Sequence, residues 1–250
     1  MRSKTLFLSL FTSKRGSDEL GTLLLRLSAP LQSWGSGSYF DTRETDYWPT
    51  KSGIVGMLAC ALGRSREDSI DDLTTFRFGV RIDHQGEHIV DFHTTEMGEK
   101  LNNNISYRSY LSDAIFLVGI EHNSMEFLKM IEQALKNPKF SLYLGRRSCP
   151  PTFPIILDIE DKDLYHALYE AQWQLPYWRW GSVFKLRDEI SLRILVEDET
   201  GDTFVKDKPY SFSIWKRVYE YRSIAEKEPR IIFKAQLTTA TSQNPMKELE

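Results

Sequence analysis

The stretch AIFLVGIEHNSMEFLKMIEQAL, Ala114–Leu135, carries the clearest structural signal in the chain. Its first seven residues are almost all apolar, which predicts a fully buried strand. Ser124 then offers a cap for a helix whose apolar residues recur on one face, and Asn137-Pro138 ends that helix. The stretch therefore predicts a strand followed by a helix that shares its core.

Four further segments extend this pattern on both sides. A strand and a helix precede the stretch, and the helix has apolar residues at i, i+3, i+4 and i+7. A half-buried strand comes next, in which Arg77 and Arg81 alternate with apolar residues and are expected on its solvent side. A last short strand ends at Gly145. The segments are Thr22–Leu27 (strand), Thr50–Gly63 (helix with its caps), Phe76–Ile82 (strand) and Phe140–Leu144 (strand).

The order strand, helix, strand, strand, helix, strand predicts an α+β fold of the ferredoxin-like or RRM-like βαββαβ type. We assign this domain to residues 22–157, with a long polar excursion at about 91–110. Residues 158–238 contain further strand patterns, which include Glu189–Glu197 and Ile231–Phe233, and predict a smaller β-rich lobe packed on the first domain. Residues 1–21 form an extension, and residues 239–250 form a polar tail.

Composition limits the class of protein. The formal net charge of the 250 residues is −3, so any nucleic-acid binding must depend on a local basic patch, and partner subunits would strengthen the electrostatic attraction. No run of about 18 apolar residues is present, and two distant cysteines fit a reducing, cytoplasmic location. Residues 1–11 imitate a signal peptide, but no cleavage site follows. We interpret them as an extension or a loosely attached strand, with export as the alternative.

Metal and nucleotide-hydrolysis sites are not supported by the residue pattern. The five histidines form no helical H-x-x-x-H pair, and no CxxC is present. Lys51-Ser52 resembles the end of a phosphate loop but lacks the upstream glycine. The sequence therefore predicts no metal, no cofactor and no catalytic residue of these classes.

Three places could bind nucleic acid. In LGRRSCPP (Leu144–Pro151), a strand-end glycine precedes Arg146, Arg147 and Ser148, whose groups can pair with phosphate or a base edge. Lys51 and Ser52 open a helix whose free N–H groups suit a phosphate. The alternatives that involve no ligand are a solvated charge pair for the first place and ordinary helix capping for the second.

Aromatic residues mark the third place. Trp34 stands in a polar Gly/Ser-rich loop, where core packing does not obviously require an indole, and further aromatics accompany Arg43. Aromatic faces beside arginines are typical of single-stranded RNA recognition, although contact with a partner protein would use the same residues.

His93 is the one histidine that could act as an acid or base. An RNA-cleaving site would need a base and an acid around a 2′-hydroxyl and a cation for the phosphate. Possible companions are Lys100, Tyr107, Arg108 and Tyr110, and a structural histidine is the alternative.

Read together, eight blocks in a fixed order closely resemble the type I-E Cascade members of the fifth CRISPR-associated (Cas) protein family. The resemblance runs from about Thr22 to Pro154 and is loose beyond it. The blocks lie at residues 25–35, 43, 49–56, 62–63, 78–83, 91–94, 108–111 and 143–150.

The resemblance implies a modified RRM-like domain with a protruding hairpin thumb, here within about 91–110, and a small C-terminal lobe. It implies a non-catalytic subunit that caps the 5′ handle of the crRNA and docks a CasC-like backbone subunit and a CasA-like large subunit. Target DNA is held by the complex and read by guide pairing. The expected RNA contacts are Gln32, Trp34, Arg43, Lys51, Ser52, Arg108, Arg146, Arg147 and Ser148.

Two alternatives stay open at this point. One is a metal-independent CRISPR-repeat endoribonuclease, motivated by His93 and by catalytic relatives in the type I-C branch, although in type I-E a separate CasE subunit normally cuts. The other is a protein-interaction module without RNA contact.

Overall fold

The computed structural model describes residues 20–35, 38–39, 41–95, 104–185 and 187–234. Within these ranges the chain has a mixed α+β architecture with four α-helices and mainly antiparallel strands. The strands are β1 (Gly21–Ser28), β2 (Leu31–Gln32), β3 (Ser38–Tyr39), β4 (Thr42–Arg43), β5 (Arg77–His84), β6 (Glu87–Thr95), β7 (Asn104–Ser112), β8 (Ile115–His122), β9 (Ile156–Glu160), β10 (Glu189–Glu197), β11 (Thr203–Ser211) and β12 (Val218–Phe233), and the helices are α1 (Lys51–Leu62), α2 (Met125–Lys136), α3 (Leu164–Glu170) and α4 (Tyr177–Val183).

The strands form two sheets. The larger is antiparallel throughout, in the order β11-β12-β10-β5-β8-β1-β9. In the smaller sheet, β7 pairs with β6 in a hairpin and with β2 and the parallel strand β4 on its other side. The hairpin is therefore joined at its base to the loop that precedes α1.

Helices cover both faces of the larger sheet. On one face, α1 and α2 bury the main apolar core against β1, β5 and β8. On the other face, Leu164 and Leu168 of α3 pack closely because Gly79 and Gly119 lie opposite each other in neighbouring strands. A Cβ at Gly79 would lie 2.8 Å from a Leu168 methyl group, so the glycine pair lets the helix approach the sheet.

The predicted helix ends are confirmed. The Thr50 hydroxyl accepts a hydrogen bond from the N–H of Gly53 (3.2 Å), and Ser124 accepts one from Phe127 (3.2 Å). Gly63 follows α1 with φ +74°, the left-handed conformation expected of a glycine after a helix.

The predicted solvent side of β5 is confirmed for Arg77 but wrong for Arg81. Arg77 is exposed and pairs with Glu121 (2.6 Å). Arg81 is fully buried, forms a bidentate pair with Asp83 (2.6 and 2.9 Å), and donates to the Leu168 carbonyl at 2.5 Å. Because α3 covers this face of the sheet, Arg81 lies in a buried ion pair and not on the solvent side.

The predicted strand Phe140–Leu144 is also wrong. Leu142 and Leu144 are buried at alternate positions, which imitates a strand, but the backbone is irregular. The strand that follows α2 and pairs with β1 is β9.

The C-terminal strands continue the larger sheet, because Ile194–Val196 of β10 pair with Gly79–Arg81 of β5. The predicted short strand Ile231–Phe233 is the end of the 16-residue β12. The domain limits at 157 and 238 stay predictions. The predicted extension, apart from Leu20 and Gly21, and the polar tail lie outside the described residues, as do residues 96–103 of the excursion. Among described helices, none is long and apolar enough to span a membrane.

Candidate nucleic-acid interface

An open cleft of about 1320 Å³ runs beside α1. Its floor is one face of the helix, built of small residues from Ser52 to Cys60. The segment at residues 140–147 forms one wall, and residues from the β11–β12 connection form the other. The described residues that line the cleft include Ser33, Trp34, Arg43, Glu44, Ser52, Gly53, Gly56, Ala59, Cys60, Arg64, Arg66, Phe140, Tyr143, Arg146, Arg147, Phe212, Arg217 and Tyr219.

The cleft is strongly basic, although the whole chain is slightly acidic. Six arginines line it, and Glu44 is the one carboxylate among the described lining residues. Like charges gathered in a concave surface attract ions of opposite sign and raise their local concentration. The cleft thus meets the requirement, set by the net charge, for a local basic patch.

The turn at Gly145–Cys149 is held rigidly against the cleft. Gly145 has φ +84°, and a side chain there would collide with the Ser33 carbonyl oxygen. The Cys149 N–H donates to the Arg146 carbonyl (2.9 Å), and its carbonyl accepts from Leu144 (2.8 Å). Cys149 is fully buried, and burial raises the pKa of its thiol, which keeps it neutral. The exposed residues of the turn are therefore presented from a fixed backbone.

Arg146 links this turn to the smaller sheet. Its guanidinium lies 4.7 Å from the centroid of the Tyr110 ring and donates to the carbonyls of Ser109 (3.1 Å) and Arg43 (2.7 Å). These contacts fix the direction of the side chain and bring Arg43 to the same end of the cleft. Arg147 and Ser148 are exposed, and Arg147 lines the cleft, whereas Ser148 does not.

Gln32 and Trp34 belong to the interior. The Gln32 amide donates to the Ala114 carbonyl (2.7 Å), and its oxygen accepts from the Trp34 indole N–H (3.0 Å). Trp34 is only 1% exposed and packs against Gly53, where a Cβ would lie 2.8 Å from the indole. The expectation that the core does not require this indole is wrong, although an edge of the ring reaches the cleft.

Lys51 faces the sheet, and the next residue, Ser52, lines the cleft. The Lys51 ammonium lies 2.8 Å from Glu197 and donates to the Phe76 carbonyl (2.8 Å), while its backbone N–H donates to Asp207 (2.8 Å). Burial lowers the pKa of Lys51, and the Glu197 charge opposes this shift. The side chain therefore joins α1 to the C-terminal strands, and we do not carry its predicted RNA contact forward.

Arg108 and His93 lie on the hairpin and are not among the residues that line the cleft. The Nε of Arg108 is buried and has no hydrogen-bond acceptor within the described part of the chain. Its strand neighbour across the hairpin is Asp91, whose carboxylate lies 2.8 Å from the His93 Nε2. His93 is therefore outside the cleft, two strands away from the cleft residue Arg43, which is the strand partner of Arg108.

Half of the arginines in the cleft were not predicted from the sequence. Arg64 and Arg66 follow the glycine that ends α1, and Arg217 lies between β11 and β12. The signals were the Arg64-Ser65-Arg66 pattern and the neighbours of Arg217, Trp215 and Lys216. Both segments lie far apart in sequence, so only the fold shows that they share a site.

Comparison with known proteins gives consistent matches. The family model described as CRISPR-associated protein (Cas_Cas5) matches residues 22–224. The CRISPR system Cascade subunit CasD of Escherichia coli (strain K12) is 36% identical over 156 residues, which are 54% of this chain and 69% of that protein.

Two solved structures are similar over most of their length. One is a chain of a CRISPR RNA-guided surveillance complex, with a TM-score of 0.69 and 28% identity over 89% of this chain and 100% of that chain. The other, a crystal structure of a Cas protein, has a TM-score of 0.64 and 37% identity over 84% of this chain and 95% of that chain.

Proposed function

The chain belongs to the CRISPR-associated Cas5 family, and from that premise we propose that it is a non-catalytic subunit of a type I-E Cascade surveillance complex. In this proposal it binds and caps the 5′ handle of the crRNA. It also docks a CasC-like backbone subunit and a CasA-like large subunit, in a complex that holds target DNA. The similarity to a Cascade subunit and to a chain of a surveillance complex supports this assignment.

The observation that carries the proposal is the rigid turn beside a basic cleft. Arg147 extends from a turn that is held on both sides, because Gly145 is closely packed and Cys149 is fully buried. Arg43 and Arg146 lie at the same end of the cleft. Planar guanidinium groups held in fixed positions suit the phosphates and base edges of a single strand.

The strand arrangement supports the ferredoxin-like interpretation of the domain. The elements β1, α1, β5, β8, α2 and β9 follow the βαββαβ order, and their four strands are neighbours in one antiparallel sheet. The hairpin β6–β7 is inserted between β5 and β8, and we interpret it as the thumb. It extends beyond the predicted limits of 91–110.

The hairpin also supports docking on a neighbouring subunit. Phe92 and Tyr107 lie opposite each other on β6 and β7 and are 66% and 52% exposed. Aromatic side chains exposed side by side on one face are typical of protein contact surfaces.

The endoribonuclease alternative has less support. Cleavage needs an acid and a base around the same 2′-hydroxyl and a cation for the phosphate. His93 has a carboxylate neighbour on the hairpin, but it does not line the arginine-rich cleft.

Charge reversal of Arg147 tests the proposal. Fluorescence anisotropy with a labelled single-stranded handle RNA would compare Arg147→Glu with Arg187→Glu, a matched change at an exposed arginine outside the cleft. Loss of phosphate pairing and added repulsion are expected to weaken binding by about 10- to 100-fold, with the same thermal midpoint. Equal binding by the two variants would contradict the proposal.

Incubation of the full chain with repeat RNA in the absence of metal tests the alternative. We expect intact RNA. Site-specific cleavage that His93→Ala abolishes would replace the proposed role by that of a processing nuclease.

A further inference from the structure

A second group of arginines lies where α1 ends. Arg64 and Arg66 follow the helix, and Arg217 lies on the β11–β12 connection, which is hydrogen-bonded to the loop after α1; we call these three residues the distal arginine group. We propose that the bound single strand does not stop at the Gly145–Cys149 turn but continues along the bare face of α1 to this group. This inference rests on the proposed function and extends it to a second binding subsite.

The floor of the cleft leaves room for such a strand. Its residues along α1 are Ser52, Gly53, Gly56, Ala59 and Cys60, so no long side chain rises from the helix. A Cβ at Gly56 would meet nothing closer than the Phe212 ring, at 3.9 Å. The Phe212 ring therefore borders the middle of α1 at van der Waals distance, and no long side chain of the helix itself crowds the cleft there.

Hydrogen bonds fix the wall that carries Arg147. The Lys139 N–H donates to the Ala61 carbonyl (2.9 Å) near the end of α1, and the Cys60 thiol lies 3.4 Å from the Ser141 carbonyl. This segment runs beside the helix toward the Gly145–Cys149 turn.

The opposite wall comes from the C-terminal part of the chain. Phe212, Arg217 and Tyr219 line it. The Ile214 N–H donates to the Glu67 carboxylate (3.3 Å), which ties this connection to the loop after α1. Both walls are therefore anchored beside the end of α1.

The charges of the distal group are available to a ligand. Arg66 and Arg217 are exposed, and within the described part of the chain neither has a carboxylate partner. Arg64 is held by Asp72 at 2.5 Å, so it contributes less. The helical rise separates Ser52 from Arg64 by about 18 Å. A stacked strand with a rise of about 3.4 Å per nucleotide would span this distance with about five nucleotides.

The aromatic residues of the groove favour a polynucleotide over a small anion or an acidic peptide. Phe140 and Phe212 line the two walls, and Trp215, two residues before Arg217, is 91% exposed. Aromatic faces interleaved with arginines bind successive bases by stacking and their phosphates by charge.

Two labelled RNA oligonucleotides and the full chain test the inference. One RNA, of about three nucleotides, is too short to reach both ends of the groove, and the other, of about ten, spans it. Arg66→Ala/Arg217→Ala is expected to weaken binding of the longer RNA by about tenfold or more and to reduce the salt slope by about two. Binding of the shorter RNA should not change. Arg187→Ala is the matched control.

A second variant blocks the groove without removing charge. Gly56→Leu places a side chain in the cleft beside the Phe212 ring, and because leucine favours the helix it is expected to leave the thermal midpoint unchanged or raise it. It should weaken binding of the longer RNA by about tenfold. Gly181→Leu should not change this binding; Gly181 is another helical glycine, and no atoms lie near its Cβ position.

The outcomes separate the two proposals. If Arg147→Glu weakens binding but the distal and Gly56 variants match their controls, the proposed function stands and the second subsite is overturned. Competition by poly-glutamate as strong as by the longer RNA would assign the groove to an acidic protein and overturn the inference. If the unmodified chain binds neither RNA at low salt, both proposals fail.

Discussion

In the interior beneath the cleft, polar groups of indole and cationic side chains are paired within the protein, whereas on the surface of the cleft a cationic side chain is left unpaired. Trp34 and Lys51 lie beneath the surface, where Gln32 and Glu197 satisfy their polar groups. Arg147 lies on the surface, where no carboxylate of the described residues neutralises it. All of these except Glu197 were predicted RNA contacts.

This difference shows that a sequence motif identifies which chemical groups are present, but not whether they point into the protein or toward the solvent. A buried cation or indole requires a partner inside the fold, because an unpaired polar group there costs free energy. A cation in the cleft that lacks such a partner keeps its binding capacity for a ligand. The presence or absence of an internal partner is what separates the two regions.

The largest expected effect is the loss of Trp34. Trp34→Ala would leave a cavity in the main core and remove the indole donor from Gln32, so we expect the free energy of unfolding to fall by about 3–5 kcal/mol. Urea denaturation measures it. Trp215→Ala, at a tryptophan that is 91% exposed, is the matched control, and equal losses would show that Trp34 is not a core residue. If Trp34→Ala does not fold, Trp34→Phe gives the same comparison with a smaller loss.

Replacement of Lys51 should affect stability but not RNA affinity. Lys51→Met removes the ammonium donor from the Phe76 carbonyl and leaves Glu197 with the Phe78 N–H (3.2 Å) but no cation, and we expect a loss of about 2–3 kcal/mol in the free energy of unfolding. The loss in free energy would be larger if both partners were completely buried, but the Glu197 side chain is 21% exposed. Lys129→Met on the exposed side of α2 is the control. A fall of about one in the salt slope of RNA binding would instead make Lys51 a phosphate contact.

Arg146 lies between the two regions, because it has protein partners and also lines the cleft. Lysine keeps the charge but cannot donate to two carbonyls and stack on Tyr110 together, so Arg146→Lys should weaken RNA binding about fivefold. Anisotropy titration measures this change, with Arg187→Lys as the control. Full affinity in the lysine variant would show that charge alone acts at this position.

The smallest effect is expected at Asp72, which holds Arg64. Release of the guanidinium in Asp72→Asn should strengthen binding of the longer RNA about twofold. Weaker binding would show that the pair positions Arg64 for the ligand.

The same pair gives a pH dependence. The hydrogen bond from Arg64 lowers the pKa of Asp72 below its ordinary value of 3.8. Its contribution to stability is therefore present above about pH 4 and is lost as the pH falls through the lowered pKa. Denaturation at several pH values should show a smaller acid-induced loss in Asp72→Asn, and identical profiles would contradict the assignment.

Local patterns predicted the elements well where neighbouring residues decide the outcome. The caps of α1 and α2 and the strand Glu189–Glu197 depend on spacing and backbone conformation within a few residues. The errors have a different origin. Arg81 is buried because α3, more than 80 residues later, covers its face of the sheet, and no local pattern contains that information.

The candidate site was predicted in part for the same reason. Arg43, Ser52, Arg146 and Arg147 all line the cleft, and their RNA contacts stay predictions. Arg217 could not be assigned, because the resemblance is loose beyond Pro154 and the position of this residue depends on the pairing of β10 with β5.

The pairing of β10 with β5 also determines when the groove can exist during synthesis. Its floor and first wall are translated well before the second wall, whose residues 212–219 follow β10 and β11 in the chain. A chain that ends before this segment lacks Arg217 and the second wall. Completion of the groove thus coincides with completion of the sheet.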